Sequence, residues 1–349
     1  MQNKRILITG SSGFIGASLC CRLLKEGNVS IVGVDNMNDY YDVSLKEARL
    51  KQLLDLQKDF TFIKGDISDK EFIDSLFDEN RFDIVINLAA QAGVRYSIDH
   101  PDVYISSNII GFYNLMEAVR KHPVSHLIYA SSSSIYGNSN SVPFSTEDRT
   151  DQPVSLYAAT KKTDELMAYT YSHLYHIPLT GLRFFTVYGP AGRPDMAYFS
   201  FTEKLLRGEK IRIFNYGNCK RDFTYIDDIV EGIVRIIEKG PMKEYNLYNI
   251  GNSHPENLLE FVHVLGDVLI ENGLLPADFN IEEHLDLVEM QPGDVEVTYS
   301  DTSALQKDYG FHPDTPLKDG LEQFVRWYKE YNTNKKTIHR NPNKLKNLM

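Results

Sequence analysis

Short, mostly apolar runs alternate with segments of helical period through the first half of the chain. Residues 6–8, 31–34, 60–63, 84–88, 127–130 and 180–184 read as buried strands. Between them, apolar positions recur at helical spacing over about 15–25, 70–77, 103–121 and 157–175. This alternation predicts an α/β fold, a doubly wound parallel sheet. After Phe185 the order weakens and turn residues gather (Gly189, Pro190, Gly192, Pro194, Gly217), which predicts a smaller mixed α/β domain. The run 223–239 and a strand at 248–250 are expected to return to the first domain. The predicted division is therefore 1–185 with 222–252 for the larger domain, and 186–221 with 253–331 for the smaller one. Residues 36–56 read as an insertion after the second strand. A helix over 317–331 is expected to close the ordered part, leaving 332–349 as a basic, flexible tail.

The first strand runs into Gly10, Gly13 and Gly16 and then into a helix. Gly10 suits a tight turn, Gly13 lets backbone approach a pyrophosphate, and Gly16 allows the helix to pack closely on the strand, whose neighbouring helix N-terminus favours an anion. Three glycines also occur in ordinary strand-to-helix turns. The second strand, however, ends in Asp35, whose carboxylate accepts hydrogen bonds from a ribose and repels a 2′-phosphate, so NAD is favoured over NADP. A strand-end turn leading into Asn36 is the plainer reading of Asp35.

Tyr157 and Lys161 stand four residues apart in a predicted helix and project from one face. An ammonium beside a phenol favours the phenolate. Such a pair also occurs on solvated helices, so it gains meaning only beside the glycine loop. Together with the run Asn87-Leu-Ala-Ala90, these motifs resemble the extended short-chain dehydrogenase/reductase family, over residues 5–331. Within it the chain is similar to NAD-dependent nucleotide-sugar 4-epimerases, and more narrowly to those acting on UDP-glucuronate.

The resemblance implies a Rossmann-type larger domain that binds NAD and a smaller domain that binds a UDP-sugar. It assigns Tyr157, Lys161 and Ser132 to catalysis. Tyr157 would take the proton of the sugar C4 hydroxyl while hydride leaves C4, and the keto sugar would turn over and be reduced on its other face. Lys161 would also bind the nicotinamide ribose. Alongside the glycines and Asp35, the cofactor site would include Phe14, Ile15, Asp66, Ile67, Leu88, Ala89, Ala90 and Asn108. Asn108 would also help organise the active-site helix, and a polar residue in an amphipathic helix is the alternative.

The run Ala130-Ser-Ser-Ser-Ser-Ile-Tyr-Gly137 ends the fifth strand. Ser133 and Ser134 matter by what they lack. Related dehydratases resemble Thr-Asp-Glu here and related decarboxylases carry a glutamate at the position of Ser134, whereas a hydroxyl offers no suitable proton-transfer group. The substrate reading rests on Thr186 and on Gly192-Arg193-Pro-Asp-Met-Ala197, where Arg193 would grip a C6 carboxylate with its two-pronged guanidinium. A 4-keto uronic acid is a β-keto acid, and holding its carboxylate out of line with the carbonyl π system suppresses loss of CO2. An ordinary loop arginine is the alternative. By resemblance Phe214 packs near uracil, Arg221 reaches the diphosphate and Asp294 binds the uridine ribose, while Arg95 lies near the sheet edge. Gln291 stands where hexose epimerases carry an arginine. Competing readings are a UDP-glucose or UDP-N-acetylglucosamine 4-epimerase, a UDP-glucuronate decarboxylase and a non-catalytic NAD sensor.

Composition narrows the partners. A net charge of −11 disfavours nucleic acid and anionic membranes, so an anionic substrate must be met by local arginines. No apolar run approaches the roughly 20 residues that cross a bilayer, and Met1 leads directly into the first strand, so a cytoplasmic protein is expected. Cys20, Cys21 and Cys219 show no metal-ligand or disulfide spacing, and no metal is expected. The helices 103–121 and 157–175 carry surplus apolar residues, including Phe112, Leu115, Met116, Leu166, Met167, Tyr169 and Leu174. A homodimer through a four-helix bundle is the expectation, and burial within the monomer the alternative.

Overall fold

A computed structural model describes residues 3–139, 141–290 and 296–340. Its strands are β1 (Lys4–Thr9), β2 (Val29–Asp35), β3 (Phe60–Lys64), β4 (Ile84–Asn87), β5 (His126–Ser132), β6 (Leu179–Phe184), β7 (Thr186–Tyr188), β8 (Ile211–Ile213), β9 (Lys220–Tyr225), β10 (Tyr245–Ile250), β11 (Pro255–Asn257), β12 (Leu285–Leu287) and β13 (Val297–Thr298). Seven of them form one parallel sheet in the order β10-β6-β5-β4-β1-β2-β3. The order reverses between β1 and β4, and ligands bind at that kind of crevice, outside the carboxyl ends of the strands. Both faces are covered, which is why β1, β2, β4 and β6 read as apolar runs rather than as alternating patterns.

Strands β11, β9 and β13 make a second sheet, in which β7 also pairs with β9; β8 and β12 pair separately. The helices Ala197–Leu206, Leu258–Glu271 and Leu317–Arg340 pack around these strands through Tyr198, Phe199, Phe261, Phe324 and Tyr328. That apolar core continues without a break into the large sheet. The helix Ile226–Lys239 lies against Phe14–Glu26, where Arg22 Nη2 meets Glu231 at 2.9 Å.

Two sequence expectations need correction. The helix read over 103–121 is interrupted: a short helix, Pro101–Tyr104, leads into a π-helical turn at Ile105–Ile110, and only Gly111–Lys121 is regular α-helix. A π turn shifts the faces of the following residues, which apolar period alone does not reveal. At the other end, the final helix runs on through Arg340 instead of stopping at Tyr331. Residues 332–340 contain neither glycine nor proline, and Pro342 is the first breaker, so low apolar content did not end the helix. Among the described residues no helix is long and apolar enough to cross a membrane.

Candidate active site

The glycine loop is shaped by contacts that allow no side chain. Gly10 has φ +70°, and a Cβ there would lie 2.8 Å from the Leu88 carbonyl and the Ala89 nitrogen at the end of β4. At Gly16 a Cβ would sit 2.1 Å from Gly10 O, so the helix could not approach the loop. The helix begins at Phe14 with no side chain capping it, leaving first-turn amides available at the sheet edge.

Asp35 closes the opposite wall. Its Oδ2 accepts from Ser12 N (3.1 Å), its Oδ1 accepts from Met37 N (2.9 Å), and Lys46 Nζ lies 3.9 Å away. Asp66 accepts from Asn36 Nδ2 (2.8 Å) and from the Ser68 amide and hydroxyl. Burial would raise the Asp66 carboxyl, but these donors outweigh it and hold the group below the usual range. The chain thus presents a Cβ-free cradle, open helix amides and a fixed strand-end carboxylate around one cavity, a set that fits an adenine dinucleotide without a 2′-phosphate.

The same cavity is lined by Gly10, Gly13, Phe14, Ile15, Gly16, Asp35, Asp66, Ile67, Leu88, Ala89 and Ala90, and also by Ser132, Tyr157, Lys161 and Arg193. Ser155 caps the helix Leu156–Tyr175 by accepting from Ala158 N (3.1 Å), and Tyr157 stands in the first turn with its ring edge-on to Tyr104. One turn later Lys161 Nζ donates to Ala130 O (3.0 Å) at the end of β5 and to Asp164 Oδ2 (3.1 Å). Ser132 ends β5, accepts from Ser134 N and donates to Ser134 Oγ (3.1 Å).

Arg193 reaches the cavity from the loop after β7. Its Nε and Nη2 donate to Asp195 Oδ1 (3.0 Å) and Oδ2 (2.5 Å), and Tyr40, from the insertion, donates to the same carboxylate at 3.2 Å. Burial would lower the guanidinium's pKa, but the Asp195 bonds more than reverse this and raise it. The pairing is side-on. It leaves the Nη1 edge of the fork without a hydrogen bond among the described residues, and Arg193 and Tyr157 both line the cavity.

Several assigned residues stand elsewhere. Asn108, on the π turn, is buried and does not line the cavity; it accepts from Gln91 N (2.8 Å) and donates to Gln91 O and Thr160 Oγ1 (both 3.0 Å). It therefore ties the loop after β4 to the helix bearing Tyr157, a bond set suited to organising that helix. Ser133, Ser134 and Thr186 are near the β5 and β6 ends but not in the cavity lining. Arg95 and Phe214 come together outside it, with the guanidinium 5.6 Å from the ring centroid. Arg221 is held at Lys220 O (2.9 Å) and Glu296 O (3.2 Å). Asp294 and Gln291 lie outside the described residues.

Arg49 escaped the sequence reading. Its buried guanidinium donates to Ser12 O (3.1 Å) in the glycine loop and to Ala191 O (2.9 and 2.6 Å) and Gly192 O (3.1 Å) beside Arg193. The insertion thereby fastens the two loops that face each other across the cavity. In sequence, Arg49 sits in a Lys/Glu/Leu-rich stretch that looks like any solvated helix.

A dinucleotide crevice joined to a Tyr/Lys/Ser group defines a nucleotide-dependent enzyme of the doubly wound class, and comparison with known proteins narrows it. Residues 6–251 match the model of the NAD dependent epimerase/dehydratase family, and the chain belongs to that family. It is 50% identical to Protein CapI of Staphylococcus aureus, over 94% of this chain and 99% of that one. It is 44% identical to UDP-glucuronate 4-epimerase 4 of Arabidopsis thaliana, over 93% of this chain and 75% of the relative. Among solved structures, the UDP-glucuronic acid 4-epimerase of Bacillus cereus in complex with UDP-glucuronic acid and NAD superposes with a TM-score of 0.84, at 32% identity, over 94% of this chain and 99% of that one.

Proposed function

We propose that this protein is an NAD-dependent UDP-glucuronate 4-epimerase, interconverting UDP-glucuronate and UDP-galacturonate. The observation that carries the reading is the half-engaged guanidinium of Arg193 beside Tyr157. Asp195 and Tyr40 fix its plane, while its open edge offers a second carboxylate two parallel N–H donors. Similarity to proteins named for this activity supports the same substrate.

Bound NAD supplies the hydride acceptor and donor. Tyr157 removes the proton from the C4 hydroxyl, aided by the Lys161 ammonium, and returns a proton when C4 is reduced on the opposite face. Ser132 donates a hydrogen bond to the reacting sugar oxygen. Arg193, with Thr186 and the hydroxyl of Ser133 or Ser134, holds the C6 carboxylate out of the alignment that expels CO2. Phe214, Arg95 and Arg221 are assigned to the nucleotide end of the substrate site, and the uridine ribose is assigned to Asp294, outside the described residues. Offering UDP-glucuronate and UDP-glucose side by side tests the reading: UDP-galacturonate should dominate, and UDP-galactose alone would overturn it. An Arg193→Leu variant is expected to lose about 10²-fold or more in kcat/KM for the uronate and to release some UDP-pentose, read by product chromatography.

The proposal extends to assembly and location. Phe112, Leu115 and Met116 prove to be buried under their own chain, so they are not available for a partner. Leu166, Tyr169 and Leu174 remain 57–59% exposed, and Ile110, Tyr113 and Tyr175 add apolar surface on the same pair of helices. A second copy of this chain is the occupant proposed, two helices from each making the bundle. A Leu166→Glu, Tyr169→Glu double variant should run as a monomer in analytical ultracentrifugation where the parent sediments as a dimer; a monomeric parent would contradict this. A cytoplasmic site of action accords with three unpaired cysteines.

A further inference from the structure

Lys161 has a buried acidic neighbour that the reaction scheme above does not use. Asp164 lies three residues on, so both side chains project from one helix face. Pairs at that spacing are usually solvated. Here both side chains are only 2% exposed, with Nζ and Oδ2 3.1 Å apart.

The pair is also lopsided. Asp164 Oδ2 takes the lysine proton, while Oδ1 is buried with no hydrogen-bond partner among the described residues. A buried carboxylate with one bare oxygen is poorly compensated, so its charged form is held at a cost. Burial is the main influence, and with Glu165 beside it pushes the Asp164 carboxyl up to about 7 against the pull of Lys161. The other groups near it are committed. Glu165, on the same helix, is engaged by Arg183 of β6, and Tyr129 of β5 shares a hydrogen bond with Tyr245 of β10.

We propose that Asp164 is a positioning residue that works through Lys161: its carboxylate fixes the ammonium against Ala130 O and offsets part of the positive charge that favours the Tyr157 phenolate. Two consequences have the same origin. The ionised carboxylate aims the lysine, and its negative charge weakens the lysine's hold on the phenolate. This inference rests on Tyr157 being the proton acceptor.

The test is the pH dependence of kcat for Asp164→Asn, which keeps an oxygen for Lys161 and removes the charge. The acid limb is expected to move to lower pH by about half a unit or more, with NAD retained. A limb that superposes on the parent's, or a loss of activity uniform across pH, would overturn the proposal and leave Asp164 with a structural role only. If the asparagine variant does not fold, Asp164→Ser, also neutral and smaller, makes the same prediction. Tyr157→Phe assayed alongside separates the two claims. An active Tyr157→Phe enzyme removes the scheme itself, whereas an inactive one beside an unmoved Asp164→Asn limb removes only the role of Asp164.

Discussion

Tyr157→Phe is expected to leave NAD bound and to lower kcat by roughly 10³-fold or more, since general acid–base groups contribute on the order of 10²–10⁴. The substitution deletes one oxygen. The ring keeps its edge-on contact with Tyr104, and Ser155 still caps the helix, so the fold has no reason to change. Lys161 keeps its bonds to Ala130 O and Asp164, so the cofactor side of the site is also preserved. What disappears is the group proposed to take the C4 proton. The check is a pair of measurements on one preparation: NAD released on denaturation, equal to the parent's, and turnover of UDP-glucuronate, close to background. Unchanged turnover would shift the catalytic role elsewhere.

Glu165→Leu should destabilise the protein by about 3–5 kcal/mol, the usual cost of leaving a buried charge without its partner. Arg183 is 2% exposed and donates through Nε (2.8 Å) and Nη2 (2.9 Å) to the two oxygens of Glu165, which also accepts from Ser131 Oγ at 2.7 Å. Its Nη1 donates to Tyr136 OH, which donates in turn to Asn249. One network therefore joins the helix Leu156–Tyr175 to β5, β6 and β10, and includes Ser131, the neighbour of Ser132. Without Glu165 the guanidinium has no other carboxylate within this network. Urea midpoints should drop sharply in Glu165→Leu, and most of the loss should return in Glu165→Leu, Arg183→Met, because an apolar pair of similar volume leaves no stranded charge. A double variant as unstable as the single one would contradict the ion-pair account.

The larger sheet was legible because its chemistry is local. Most of its strands are rich in apolar residues and bounded by turn residues, and the glycine loop and Asp35 announce the switch point by their own spacing. Tyr157 and Lys161 were equally visible, since the helix converts four residues of separation into one face. The groups that shape the site from a distance were not. Arg49 and Asp195 act on partners far along the chain or on a loop with no periodicity, and both read as ordinary charged residues. The π turn that carries Asn108 was not visible either, because it leaves no mark on the hydrophobic pattern. Glu165 and Arg183 illustrate the same limit: each sits among residues of unremarkable polarity, and only the sheet brings them together.

The most direct measurement follows deuterium placed at C4 of UDP-glucuronate, with purified protein and no added NAD. If one bound dinucleotide takes the hydride and returns it to the other face of the same sugar, the UDP-galacturonate formed keeps the label at C4 and no NADH accumulates. Label lost to solvent, or reduced cofactor building up beside a decarboxylated sugar, would contradict the account.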